Sequence, residues 1–83
     1  MKLVYFAWVR ERIGIAEEEI DLPGDVATVG DLLGWLAARG EGYAQALQHR
    51  NAIRVAINQE HVSRDAPLAG ALEVALFPPI TGG

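Results

Sequence analysis

The sequence predicts a single α+β domain in which a mixed sheet packs on one main helix, and three observations carry that expectation. Short runs rich in β-branched and aromatic residues open and close the chain. One stretch near residue 30 places apolar residues at helical spacing behind a capping signature. The segments follow one another in the order ββαβ(β)β. A lone helix among strands has to lie across the sheet to bury its apolar stripe. Eighty-three residues with 51% hydrophobic content supply one modest core, which leaves no room for separate catalytic and cofactor domains.

Lys2 to Arg10 reads as the first strand, followed by a polar turn around Arg12 and Gly14. Glu17 to Leu22 reads as a second strand that pairs back on the first, so the two form a hairpin, and Pro23-Gly24-Asp25 breaks the pattern. Thr28 with Asp31 three residues later has the form of a helix N-cap. Behind it Val29, Leu32, Leu33 and Leu36 make one stripe. Gly30 and Gly34 each weaken this helix by about 1 kcal/mol relative to alanine, so it leans on tertiary packing or admits a close approach to the sheet. Gly40 and Gly42 are expected to end it, and Tyr43 to Leu47 reads as a second, short helical turn. Ile53 to Asn58 is the third strand, Asn58-Gln59-Glu60 turns into a short extended piece near His61 and Val62, and Asp65 to Gly70 is loop. Ala71 to Phe77 closes the sheet, parallel to the first strand across a long crossover. The arrangement suits a β-grasp domain over residues 1–77, with 78–83 as an extended tail.

Side-chain alternation sorts the strands into two faces. It turns Leu3, Tyr5, Ala7 and Val9 inward and Lys2, Val4, Phe6, Trp8 and Arg10 outward. On the last strand Leu72, Val74 and Leu76 are expected inside, with Glu73, Ala75 and Phe77 outside; on the third, Arg54 and Asn58 flank an outward Ala56. Val4, Phe6, Trp8, Ala56, Ala75 and Phe77 would then form an apolar outer patch, and such a patch marks a docking surface.

The ending Phe77-Pro78-Pro79-Ile80-Thr81-Gly82-Gly83 is the most specific motif. Two prolines fix φ near about −65° and withhold a donor, so they end the strand and hold its exit extended. Two glycines leave a bare main-chain carboxylate on a thin, flexible thread that fits a channel too narrow for other residues. The six residues after Phe77 span roughly 20 Å at about 3.3 Å each. The carboxyl group of Gly83 is therefore the expected reactive group.

Composition excludes several alternatives. A net charge of −4 disfavours nucleic acid and anionic membranes and favours a basic partner. No cysteine is present, which removes disulfides, thiolate ligands and cysteine nucleophiles; the two histidines, His49 and His61, lack the carboxylate spacing of a metal site. The run Glu17-Glu18-Glu19 with Asp21 reads as solvated charge, Asp25, Asp31 and Asp65 as turn or cap residues, and Ser63 has no base at fixed spacing. No phosphate loop occurs, so any nucleotide in the chemistry binds another protein. Without a signal-like N-terminus or a long apolar run, the expected location is the cytoplasm.

The opening Tyr5-Phe6-Ala7-Trp8-Val9-Arg10-Glu11, the central Val55-Ala56-Ile57-Asn58-Gln59 and the Phe77 to Gly83 ending resemble the small-subunit family of molybdopterin synthase over essentially the whole chain. Sulfur carriers of the thiamine pathway and ubiquitin-like modifiers that also thiolate transfer RNA share the Gly-Gly end more distantly. The resemblance implies a ubiquitin-like β-grasp sulfur carrier, a non-catalytic subunit of a transferase complex. An activating enzyme of the E1 type, using ATP, would adenylate Gly83. A sulfur-donating enzyme would convert it to a thiocarboxylate, and the large synthase subunit, in a heterotetramer, would receive it. By resemblance Phe6, His61 and Phe77 meet the large subunit, and Pro78, Pro79, Ile80, Thr81, Gly82 and Gly83 form the inserted segment; Trp8 and Arg10, outward on the first strand by alternation, are expected to bind the partner with them. Arg10 and Arg12 either solvate the hairpin end or face an acidic patch on the activating enzyme. No cofactor is expected on this chain itself.

Overall fold

A computed structural model describes residues 1–79. The chain runs β1 (Lys2–Tyr5), α1 (Ala7–Ile13), β2 (Glu17–Glu19), α2 (Val29–Ala37), α3 (Glu41–Ala46), a 3-10 turn (Arg50–Ala52), β3 (Arg54–Ile57), β4 (Glu60–Val62) and β5 (Glu73–Phe77). The five strands form one mixed sheet in the order β2-β1-β5-β3-β4. β1 and β5 are parallel, and every other neighbouring pair is antiparallel. This is the α+β, β-grasp arrangement that the element order predicts.

The main helix forms as its sequence dictates. The Thr28 hydroxyl accepts from the Asp31 N–H, while the Asp31 carboxylate accepts from the N–H groups of Thr28 and Ala27. This capping box satisfies donors that the first turn of a helix leaves open. The stripe Val29, Leu32, Leu33 and Leu36 is buried to 1% exposure or less, against Leu3 and Tyr5 of β1 and Val74 and Leu76 of β5. Burying each of these side chains stabilises the fold by about 1.5–3 kcal/mol, which outweighs the helix propensity lost at Gly30 and Gly34.

The first strand is shorter than its apolar run suggests. Phe6 is still extended, but Ala7 takes φ 51° and turns the chain off the sheet into α1, which ends at Gly14 with φ 98°. The run from Lys2 to Arg10 fits both periods, and the helical one wins from Ala7 onward. Trp8 with Arg12, and Val9 with Ile13, stand four apart on α1; Val9 is fully buried and Ile13 packs against the core. β1 and β2 are antiparallel as expected, with Leu3 opposite Glu18, yet a helix joins them rather than a turn.

Three smaller expectations also change. β2 spans only Glu17–Glu19. Gly42 does not end a helix: α2 stops at Ala37, Gly40 caps α3, and Gly42 lies inside α3 where that helix presses on the end of α1. Leu72 is not inward but 78% exposed, because it precedes β5, with its N–H held by the Asn58 side chain and its carbonyl by the Lys2 N–H. No helix among the described residues is long and apolar enough to cross a membrane.

Candidate docking face at the root of the C-terminal segment

All three helices contribute buried residues to one core, which leaves the opposite face of the sheet uncovered. Strand register builds that face in rows. Lys2, Glu73 and Asn58 form a polar end, with Lys2 paired to Glu17 at 3.5 Å. Next come Val4, Ala75, Ala56 and His61 side by side across β1, β5, β3 and β4. Ala56 and Ala75 lie on this face as expected but keep only 6% and 8% exposure, so they are a floor between taller neighbours.

The last row holds the aromatics. The Phe6 N–H donates to the Leu76 carbonyl at 3.1 Å, extending the β1/β5 ladder so that Phe6 falls beside Phe77. Phe6 is 47% exposed. Phe77 is opposite Arg54 on β3, and its ring meets His61 edge-on at 5.3 Å. Arg54, His61, Ser63 and Phe77 rim a cleft of about 510 Å³ floored by Val55 and Val62. An aromatic row flanked by donors can receive an apolar side chain with a hydrogen-bonding neighbour. β5 leaves the sheet at this row, through half-buried Pro78 and Pro79.

Sequence reasoning brings Phe6, His61 and Phe77 together correctly on one surface. It misplaces Trp8 and Arg10. Both ride on α1, where Trp8 packs half-buried against the core with the Arg12 guanidinium 4.4 Å from its ring centre, and Arg10 is exposed. The turn at Ala7 is the cause, since it carries everything after Phe6 away from the sheet's outer face. Ile80, Thr81, Gly82 and Gly83 lie outside the described residues.

The glutamate run on β2 is not uniformly solvated. Glu18 accepts hydrogen bonds from the Tyr5 and Tyr43 hydroxyls at 2.7 Å each and from Arg39 at 3.0 Å. Burial opposes its ionisation, but these bonds and the Arg39 charge outweigh burial and hold the carboxyl below its ordinary value. Burial, then the bond to Glu18, pushes the Tyr5 hydroxyl well up. Arg39 also lies against the rings of Trp35 and Tyr43. This group fastens the β2 edge to α3 and to the chain between α2 and α3. The sequence alone does not signal it: the β1/β2 register, which sets Glu18 opposite inward Leu3, is what turns its side chain to the core side.

The ThiS family matches residues 3–83. A curated Escherichia coli protein, the molybdopterin synthase sulfur carrier subunit, is 41% identical over 83 residues, covering 100% of this chain and 99% of that protein. Among solved structures, a putative molybdopterin converting factor, subunit 1, from Pyrococcus furiosus superposes with a TM-score of 0.74 at 31% identity over 95% of each chain. Small archaeal modifier protein 1 from Haloferax volcanii gives a TM-score of 0.71 at 32% identity, covering 96% of this chain and 97% of that one.

Proposed function

The chain belongs to the ThiS family, and from that premise we propose that it is the sulfur carrier subunit of a molybdopterin synthase. The observation that carries this reading is the 41% identity to such a subunit along the whole chain, with the ending Phe77 to Gly83 at the place where a carrier needs it. The aromatic row supports it, because a partner seated on Phe6 and Phe77 meets the chain where β5 leaves the sheet.

The chemistry runs through the carboxyl group of Gly83. A carboxylate resists substitution because oxide would have to leave, so it is first activated. Its oxygen attacks the α-phosphorus of ATP on an activating enzyme of the E1 type, pyrophosphate departs, and an acyl adenylate forms. Sulfide-level sulfur released by a donating enzyme then attacks the acyl carbon, AMP leaves, and the Gly83 thiocarboxylate remains. The tail from Pro78 to Gly83 inserts into the large synthase subunit, where each insertion passes one sulfur to cyclic pyranopterin monophosphate and water restores the Gly83 carboxylate, so two charged carriers in turn build the dithiolene. ATP is bound by the activating partner and not by this chain.

Intact mass measurement on protein purified from its own host tests the reading. One oxygen exchanged for sulfur at Gly83 is the expected result. An unmodified terminus under active cofactor synthesis overturns it. Deleting Gly82 and Gly83 should stop sulfur transfer at an unchanged melting midpoint, since the buried core is built from residues between Leu3 and Leu76.

The fold likeness to a small archaeal modifier protein favours a second reading, in which activated Gly83 is passed to lysine side chains of other proteins. The same measurement separates the two, because conjugation gives adducts of higher mass on other proteins and no sulfur on the free chain.

A further inference from the structure

The whole chain carries −4, yet each of the three ion pairs among the described residues uses a glutamate of β2, joining it to Met1, Lys2 or Arg39. Around the other edge of the sheet, Arg50 of the 3-10 turn, Arg54 of β3 and Arg64 after β4 enter none of these pairs. Arg50 and Arg64 line an open cleft of about 730 Å³ beside Gly30. Arg64 and Arg54 line a narrower one of about 230 Å³, and Arg54 continues into the 510 Å³ cleft that ends at His61 and Phe77. Arg64 is common to the first two clefts and Arg54 to the last two, which sets these arginines in series between the start of α2 and the root of the C-terminal segment. No aspartate or glutamate lines any of them.

We propose that this arginine track is the address read by the proteins that act on the C-terminus, and that its occupant is a strip of aspartate and glutamate side chains on their surface. The inference rests on the sulfur-carrier reading and deepens it by naming the partner chemistry. Arg64 is fixed in place, its guanidinium donating to the carbonyls of Arg50 and Ile53, while Arg50 and Arg54 are exposed. Guanidinium forks match carboxylates two bonds at a time, which gives orientation as well as attraction. Complementary charge mainly steers encounter and fixes register, and here the register ends with Phe77 and Phe6 against an apolar surface. A polyphosphate chain is a poorer occupant, because it would leave the aromatic row unmatched.

Association of the chain with the large synthase subunit and with the activating enzyme of the same organism, followed by surface plasmon resonance, tests the track. Arg50→Glu with Arg54→Glu should slow association at low salt at least about tenfold and flatten its salt dependence. Arg50→Gln with Arg54→Gln should give the same trend in smaller measure and covers the case in which charge reversal disturbs folding. Wild-type affinity that is indifferent to salt between about 0.05 and 0.3 M overturns the proposal, as does unchanged binding of the reversed chain. If Phe6→Asp abolishes binding while arginine reversal leaves it intact, the track is refuted and the sulfur-carrier reading stands. If the wild type binds neither protein, both fall. Arginine-dependent binding of a homopolymeric RNA, with no such dependence for the two proteins, also overturns it.

Discussion

At Gly42 the chain has no space for a side chain. A Cβ there would lie 2.8 Å from the Arg12 carbonyl and 3.4 Å from that of Ile13, both main-chain atoms at the end of α1. Backbone cannot swing aside as a side-chain tip can. Gly42→Ala is therefore expected to cost about 1–3 kcal/mol despite the better helix propensity of alanine, read as a lower urea midpoint. Glu18 sets a different sensitivity. Its carboxyl sits below the usual 4.5 in the fold, so its contribution is complete above the unfolded value and vanishes as pH falls through the folded one. Melting midpoints should hold from neutral pH to about pH 5 and drop below it, and Glu18→Gln should lower stability at neutral pH by roughly 1–2 kcal/mol while shrinking that drop. Asp31, lowered by the N–H groups of Ala27 and Thr28, adds a loss of the same sign as pH falls. Tyr5 acts at the alkaline end, where stability complete below 10.0 is lost as pH rises towards its raised value.

Among the elements, the β3–β4 turn carries visible strain. Asn58 and Gln59 both take positive φ, 50° and 70°, the backbone of a two-residue hairpin turn. Asn58 suits this conformation, and its side chain also accepts from the N–H groups of Leu72 and Glu73, tying the turn to the start of β5. Gln59 has no such compensation among the described residues. Gln59→Gly is expected to raise stability by about 0.5–1 kcal/mol in thermal melts, since glycine meets no Cβ penalty there. This turn was legible in the sequence because turn chemistry is local. So was α2, whose cap and stripe agree with each other. α1 was not, because Val9 satisfies strand alternation and helical spacing equally, and what decides between them is the positive φ at Ala7, a residue type that gives no warning of it. The inward turn of Glu18 was readable only once the β1/β2 register was known.

For the whole molecule, the division between a packed side and an uncovered side makes a clean separation testable. Phe6 is 47% exposed and outside the core, so Phe6→Asp should leave the unfolding free energy within about 0.5 kcal/mol of wild type in urea melts. The same change should weaken binding to a large synthase subunit by at least about 2 kcal/mol in a calorimetric titration, because it buries an unpaired charge in the contact. The candidate face was mostly legible, since alternation carried on from β1 to the extended Phe6 and along β5 to Phe77, while His61 was named by the resemblance. The arginine track was not, because residues 50, 54 and 64 come together only through the order of the sheet and the fold of the 3-10 turn. That order has one more effect. β5 is the last strand made and lies between β1 and β3, so the two halves of the sheet have no shared ladder until it inserts. A nascent chain must keep β1 waiting across some seventy residues of loop closure, which slows folding and makes it all-or-none. A half-made or misfolded copy cannot offer an ordered aromatic row, so docking through this face would be reserved for finished molecules.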